Sequence, residues 1–119
     1  MELKELIDLS NKAFQEKNFQ KSIELLKKIV VLQPNTYEVY LRLGLASSSL
    51  GNLEEAIGYF EKGASINPNS SPIYCNLGNL HAELNNKNVA LKNYFRAIEL
   101  NPKNFNANYN LGSYYFKIG

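Results

Sequence analysis

The sequence predicts an all-α solenoid of seven helices, three antiparallel hairpins followed by one further helix. Three observations carry that expectation. A set of residues recurs along the chain: Tyr74, Leu77-Gly78, Ala90, Tyr94, Ala97 and Asn101-Pro102 repeat the chemistry of Tyr40, Leu43-Gly44, Ala56, Phe60, Ala64 and Asn67-Pro68. The interval, 102 less 68, is 34 residues. Within each copy the apolar side chains fall at helical spacing, and each copy closes on a proline. A period of this size marks units that cannot bury their own apolar faces and must stack on neighbours.

The first copy is worn, with Leu6, Leu9, Ser22, Leu26, Ile29 and Pro34 in the repeated positions. Leu6, Ile7, Leu9, Ala13 and Phe14 predict a helix over 3–16, and Phe19, Ile23, Leu26, Ile29, Val30 and Leu32 predict its partner. Asn18, Asn52 and Asn86 each precede the second helix of a unit, where an Asn side chain caps the first-turn N–H groups. Just before them stand Lys17, Gly51 and Asn85, with Gly119 one period on, at turns that call for the left-handed conformation. Lys17 is the costly member of that set. Pro34, Pro68 and Pro102 end the second helices, and Thr36, Ser70 and Asn104 sit where the next helices start.

Small residues set the spacing within hairpins. Gly44, Gly78 and Gly112 on first helices, with Ala56 and Ala90 opposite, leave room for Phe60 and Tyr94. Ser10 and Ser22 replace Gly and Ala in the first unit. The last helix, Phe105 to Lys117, keeps Leu111-Gly112 and Tyr115, positions a following helix would cover. The expectation is that the chain belongs to a longer array, or that this surface meets another copy through the C-terminal helix.

These residues resemble the tetratricopeptide repeat family, which pairs an aromatic and Leu-Gly in one helix with Ala and an aromatic in the next and ends on Pro. The resemblance implies one domain over 1–119, with repeats 3–36, 37–70 and 71–104 and a partial repeat 105–119. It also implies a right-handed α-α superhelix of about three and a half hairpins. In that family the first helices line the concave groove that binds a peptide or partner protein. The groove residues implied are Asn11 from the first repeat and Leu41, Arg42 and Leu45 from the second. Asn76 and Asn79 come from the third, and Asn106, Tyr109 and Asn110 from the fourth.

Asn76 and Asn110 each precede Leu-Gly, one period apart. A side-chain amide donates and accepts, so such a row matches a peptide backbone without reading its side chains. This is similar to the asparagine ladder of O-linked N-acetylglucosamine transferase repeats, although Asp8 and Arg42 interrupt it here. Two neutral hydrogen bonds, at about 0.5–1.5 kcal/mol each, do not hold a peptide alone, so Leu41, Leu45 or Tyr109 must add apolar contact. The pattern of the carboxylate-clamp co-chaperones is rejected. In one register only Asn11 fits it, in the next only Asn76, and the cationic residues are missing.

Composition narrows the function further. A formal charge of +2 lacks the basic excess of a nucleic-acid binder. No stretch approaches about 18 unbroken apolar residues, so no membrane partner is expected. Met1-Glu2-Leu3-Lys4 opens directly into an amphipathic helix rather than a signal peptide, and a single cysteine, Cys75, suits a reducing, cytoplasmic compartment. Asn69-Ser70-Ser71 matches a glycosylation acceptor but reads as a helix-start turn. His81 stands alone, Cys75 lacks a second thiol, and Glu54 and Glu55 suit a helix N-terminus. No Gly-rich phosphate loop is present. The sequence therefore predicts a protein-interaction module with no catalytic, metal or cofactor residues. The rival readings are a substrate-recruiting arm of a larger enzyme, such as a glycosyltransferase, and a self-assembly element.

Overall fold

The computed structural model describes residues Met1–Gly119. Its elements are α1 (Leu3–Gln15), α2 (Phe19–Leu32), α3 (Tyr37–Ser49), α4 (Leu53–Ile66), α5 (Ser71–Glu83), α6 (Lys87–Leu100) and α7 (Phe105–Ile118). First helices begin at 3, 37, 71 and 105, and second helices at 19, 53 and 87, so the interval read from the sequence is the interval of the helices. The residues fall into two compact units, Met1–Ile66 and Asn67–Gly119.

Helix ends follow the local chemistry. Lys17 (φ 59°), Gly51 (φ 81°), Asn85 (φ 63°) and Gly119 (φ 90°) all occupy the left-handed region. This lets the chain reverse while the N–H groups of Asn18, Asn52 and Asn86 reach back to carbonyls of the preceding helix, at 2.8–2.9 Å. Caps are less uniform than the sequence suggests. Asn18 accepts from the Lys21 N–H at 3.3 Å and Asn104 from the Ala107 N–H at 3.0 Å. Asn86, Thr36 and Ser70 stand at cap positions without a side-chain cap bond. The Asn86 amide lies instead 3.2 Å from Nδ1 of His81.

In the first unit Leu6, Leu26, Ile29 and Leu43 are buried together, with Phe14 and Phe19 meeting edge to face at 5.5 Å. The α3–α4 contact is set by Gly44. A Cβ built there would lie 2.6–2.8 Å from the Phe60 ring, closer than carbon atoms approach, so the ring occupies the volume glycine vacates. One sequence expectation is corrected. The buried small residue one turn after Phe60 is Gly63, not Ala64, which is only half-buried. Gly63 is the residue one period before Ala97. The serines that replace Gly and Ala in the first hairpin are both buried. The Ser10 hydroxyl donates to the Ile7 carbonyl at 3.0 Å, whereas that of Ser22, like that of Ser47, has no partner.

In the second unit Gly78 and Tyr94 repeat the Gly44–Phe60 arrangement, at 2.7 Å. The Ser71 hydroxyl donates to the Ala97 carbonyl and accepts from the Asn104 amide, both at 2.7 Å, which ties the starts of α5 and α7 to the end of α6. Helix α7 buries Ala107 and Tyr114. A Cβ at Gly112 would meet nothing within 4 Å, and Phe116 is 91% exposed.

Candidate functional site

Successive first helices place polar side chains 31 residues apart within reach of each other. In the first unit Asn11 on α1 and Arg42 on α3 are joined, Nη1 of the guanidinium donating to Oδ1 of the amide. The guanidinium also lies 5.6 Å from the centroid of the Phe14 ring, a cation–π contact. These two uncharged partners hold Arg42 beside an open recess of about 410 Å³ whose lining includes Ile7, Leu26, Ile29 and Val39. Leu41 and Leu45 are half-buried on α3.

In the second unit the corresponding pair is Asn79 on α5 and Asn110 on α7. The Asn110 amide donates to Oδ1 of Asn79 at 3.0 Å and to Sγ of Cys75 at 3.8 Å. The same Asn79 oxygen accepts from the buried Tyr94 hydroxyl at 2.6 Å. Burial pushes the Cys75 thiol up, against the Asn110 N–H, which pulls it down. Burial also drives the Tyr94 phenol up to about 12, helped by negative charge on Cys75, Tyr114 and Glu83. An open recess of about 350 Å³ is lined here by Asn79, Asn110, Ser113, Glu83 and Lys117.

The remaining residues read from the sequence fall around this network. Asn76 is half-buried on α5. Asn106 and Tyr109 are exposed on α7, Tyr109 with its ring stacked on Phe105 at 6.0 Å. Asn110 thus bonds Asn79 and Cys75, a pairing absent from the sequence reading. A usable signal was present: Asn79 and Asn110 are separated by 31 residues, as are Asn11 and Arg42. That separation joins one first helix to the next. A further open recess, about 660 Å³, borders α6 between Tyr74, Val89, Phe95 and Arg96, and no sequence motif marked it. No group of three or more His, Cys, Asp or Glu side chains assembles as a metal-ligand set.

Residues 37–70 match the family model described as tetratricopeptide repeat, and residues 83–119 match a second described as TPR repeat. The chain belongs to the tetratricopeptide-repeat family. Among solved structures, the chain is similar to the crystal structure of MamA protein, 28% identical over 98% of this chain and 63% of that one, with a TM-score of 0.88. The first TPR of Spaghetti (RPAP3), bound to the HSP90 peptide SRMEEVD, is 22% identical and covers 98% of this chain and 92% of that one at a TM-score of 0.90. YrrB, described as a TPR protein with an unusual peptide-binding site, is 22% identical over 94% of this chain and 58% of that one, at 0.87. These likenesses support the all-α helical-repeat superhelix read from the sequence. This TPR chain spans less than two thirds of the MamA chain. A comparison with curated protein sequences gave no match. No helix is long and apolar enough to cross a membrane.

Proposed function

We propose that this TPR chain is a protein-interaction module that holds an extended segment of a partner protein against the first helices of its repeats. Repeats of this family are generally non-catalytic interaction modules, and solved relatives include one bound to a peptide. The observation that carries the reading is the placement of Asn79 and Asn110. Half-buried amides on two successive first helices are held by bonds to each other while bordering an open recess. Polar groups fixed before a ligand arrives lose little entropy on binding, which favours affinity. Leu41 and Leu45 supply apolar surface in the first unit, and Tyr109 supplies it in the second. The test is a random peptide library panned against the wild-type chain and against an Asn79→Ala, Asn110→Ala double variant. Selective retention by the wild type is expected; equal retention rejects the asparagines as ligands, and no retention by either rejects the peptide groove.

A specific observation also favours self-association. On α7, Phe105 is 75% exposed, Tyr109 64% and Phe116 91%, an unusual aromatic display for one helix of a water-facing surface. Light scattering across a concentration series separates the two readings: a mass that rises with concentration, and falls back in Phe116→Ser, supports assembly through this helix.

A further inference from the structure

We infer that two copies of this chain pair through α7 with the helices antiparallel, Tyr109 of each copy seated over Gly112 of the other and Phe105 of each against Phe116 of the other. The inference rests on the self-association proposed above and specifies how the two copies would meet.

The face is complementary to itself. Phe105, Tyr109, Gly112 and Phe116 follow at steps of four, three and four residues, so they share one stripe along α7. That order reads the same from either end. Turned end for end against itself, the stripe sets position 109 opposite 112 and position 105 opposite 116, and each layer occurs twice. The three rings are 75%, 64% and 91% exposed, and a Cβ at the glycine among them would meet nothing within 4 Å. Over Gly44 and Gly78 the same space holds the ring of Phe60 or Tyr94. A ring is therefore the shape that fits over Gly112, and Tyr109 of a second copy delivers one. No charge opposes the approach, because Lys117, the one charged residue of α7, lies about 140° round the helix from Gly112.

A second copy suits this face better than a helix seated as α6 sits on α5. Phe116 stands one period after Ala82, which packs against the cluster of Ala90 and Tyr94, and two periods after Ser48. A phenyl ring in that place holds such a helix away from α7, whereas an opposing Phe105 turns the same bulk into contact. Phe105, Tyr109, Tyr115 and Phe116 together offer on the order of 500 Å² per copy, so a pair buries about 1,000 Å², enough for a specific but weak dimer.

Sedimentation across a concentration series measures the dimer Kd. Gly112→Ala is the discriminating variant, since its methyl meets nothing within one copy yet enters the space assigned to the opposing ring. Its dimer Kd should rise about ten-fold or more, the effect of overpacking two symmetric contacts, while its melting temperature at monomeric dilution does not fall. Orientation is read by cross-linking. Asn106 and Lys117 are exposed on one flank of α7, beside the stripe. Antiparallel pairing brings Asn106 of one copy next to Lys117 of the other, whereas two copies of either residue stay about 13 Å or more apart along the helix. With Cys75→Ala removing the native thiol, Asn106→Cys and Lys117→Cys chains are mixed and treated with a thiol cross-linker too short for that span. A covalent dimer is expected from the mixture and from neither chain alone. A dimer whose Kd ignores Gly112→Ala, or that gives no mixed cross-link, overturns the antiparallel pairing and leaves self-association standing. A chain that is monomeric at every concentration overturns both.

Discussion

Asn79 and Asn110 are joined across two first helices by the same bridge that joins Asn11 and Arg42, at the same separation of 31 residues. The acceptor is an asparagine oxygen in both, and only the donor differs, an amide in one unit and a guanidinium in the other. Such a bridge fixes the register of neighbouring hairpins with polar groups that face the recess, leaving the apolar contacts to the hairpin interior. Removing either partner in the first unit should therefore loosen α1 against α3. Arg42→Ala is expected to cost about 1 kcal/mol, combining a half-buried charged hydrogen bond with the contact to the Phe14 ring. A double-mutant cycle with Asn11→Ala, measured by urea denaturation, should return a coupling of about 0.5–1.5 kcal/mol; strictly additive losses would remove the bridge from the account.

Glycine substitutions should split by sign. At Gly44 an added methyl would sit 2.6 Å from the Phe60 ring, so Gly44→Ala forces the ring or α4 to move and should destabilise by roughly 1–3 kcal/mol. At Gly112 the same methyl meets nothing within 4 Å, and alanine is the better helix former, so Gly112→Ala should stabilise by up to about 1 kcal/mol. Thermal melts of the two variants provide the check, and shifts in the same direction would contradict the packing described for one of them.

Phe60→Ala tests the same contact from the other side. The ring is 1% exposed and rests against the glycine, so its removal opens a cavity that a helical hairpin closes only in part. A loss of roughly 3–5 kcal/mol is expected, enough to abolish the folding transition of a marginal repeat array. An unchanged melting temperature would place Phe60 outside the core.

Much of the fold was legible in the sequence because its determinants are local. The left-handed turns at Lys17, Gly51 and Asn85, the prolines after the second helices and the Gly-aromatic pairs each depend on residues whose chemistry is fixed by type and spacing. Misreadings arose where two local signals competed. Ala64 looked like the counterpart of Ala97 because it lies one turn after Phe60, but the strict interval selects Gly63, and that residue is the buried one. Asn86 has the composition of a cap, yet its side chain meets His81. The site was legible only as a face. That Asn110 would bond Asn79 follows from side-chain reach between consecutive first helices, which a position-by-position comparison of repeats does not reveal.

Lys17 offers a stability gain. It holds φ 59° with a side chain that makes that conformation strained, in a turn where the next repeat uses Gly51. Lys17→Gly should raise stability by up to about 1 kcal/mol, the strain relieved outweighing the larger entropy of a glycine in the unfolded chain. Equilibrium denaturation decides it, and a loss of stability would mean that Lys17 makes a compensating contact.

Stability at high pH should report the Tyr94 environment. The folded phenol is pushed up to about 12 from 10.0, so the fold favours its protonated form. Below pH 10 the group is protonated in both states and stability is independent of it. As pH rises from about 10, the unfolded chain releases this proton first and thus binds fewer protons than the folded one. Stability then falls until the folded phenol also ionises, near pH 12. The whole effect is on the order of 1–3 kcal/mol. Because other tyrosines and lysines titrate in the same window, the measurement is a difference: urea midpoints of wild type and Tyr94→Phe between pH 9 and about 12, the range that brackets the linkage. The wild-type curve should descend more steeply than that of the variant, whereas parallel curves would show that burial does not hold the hydroxyl in its neutral form.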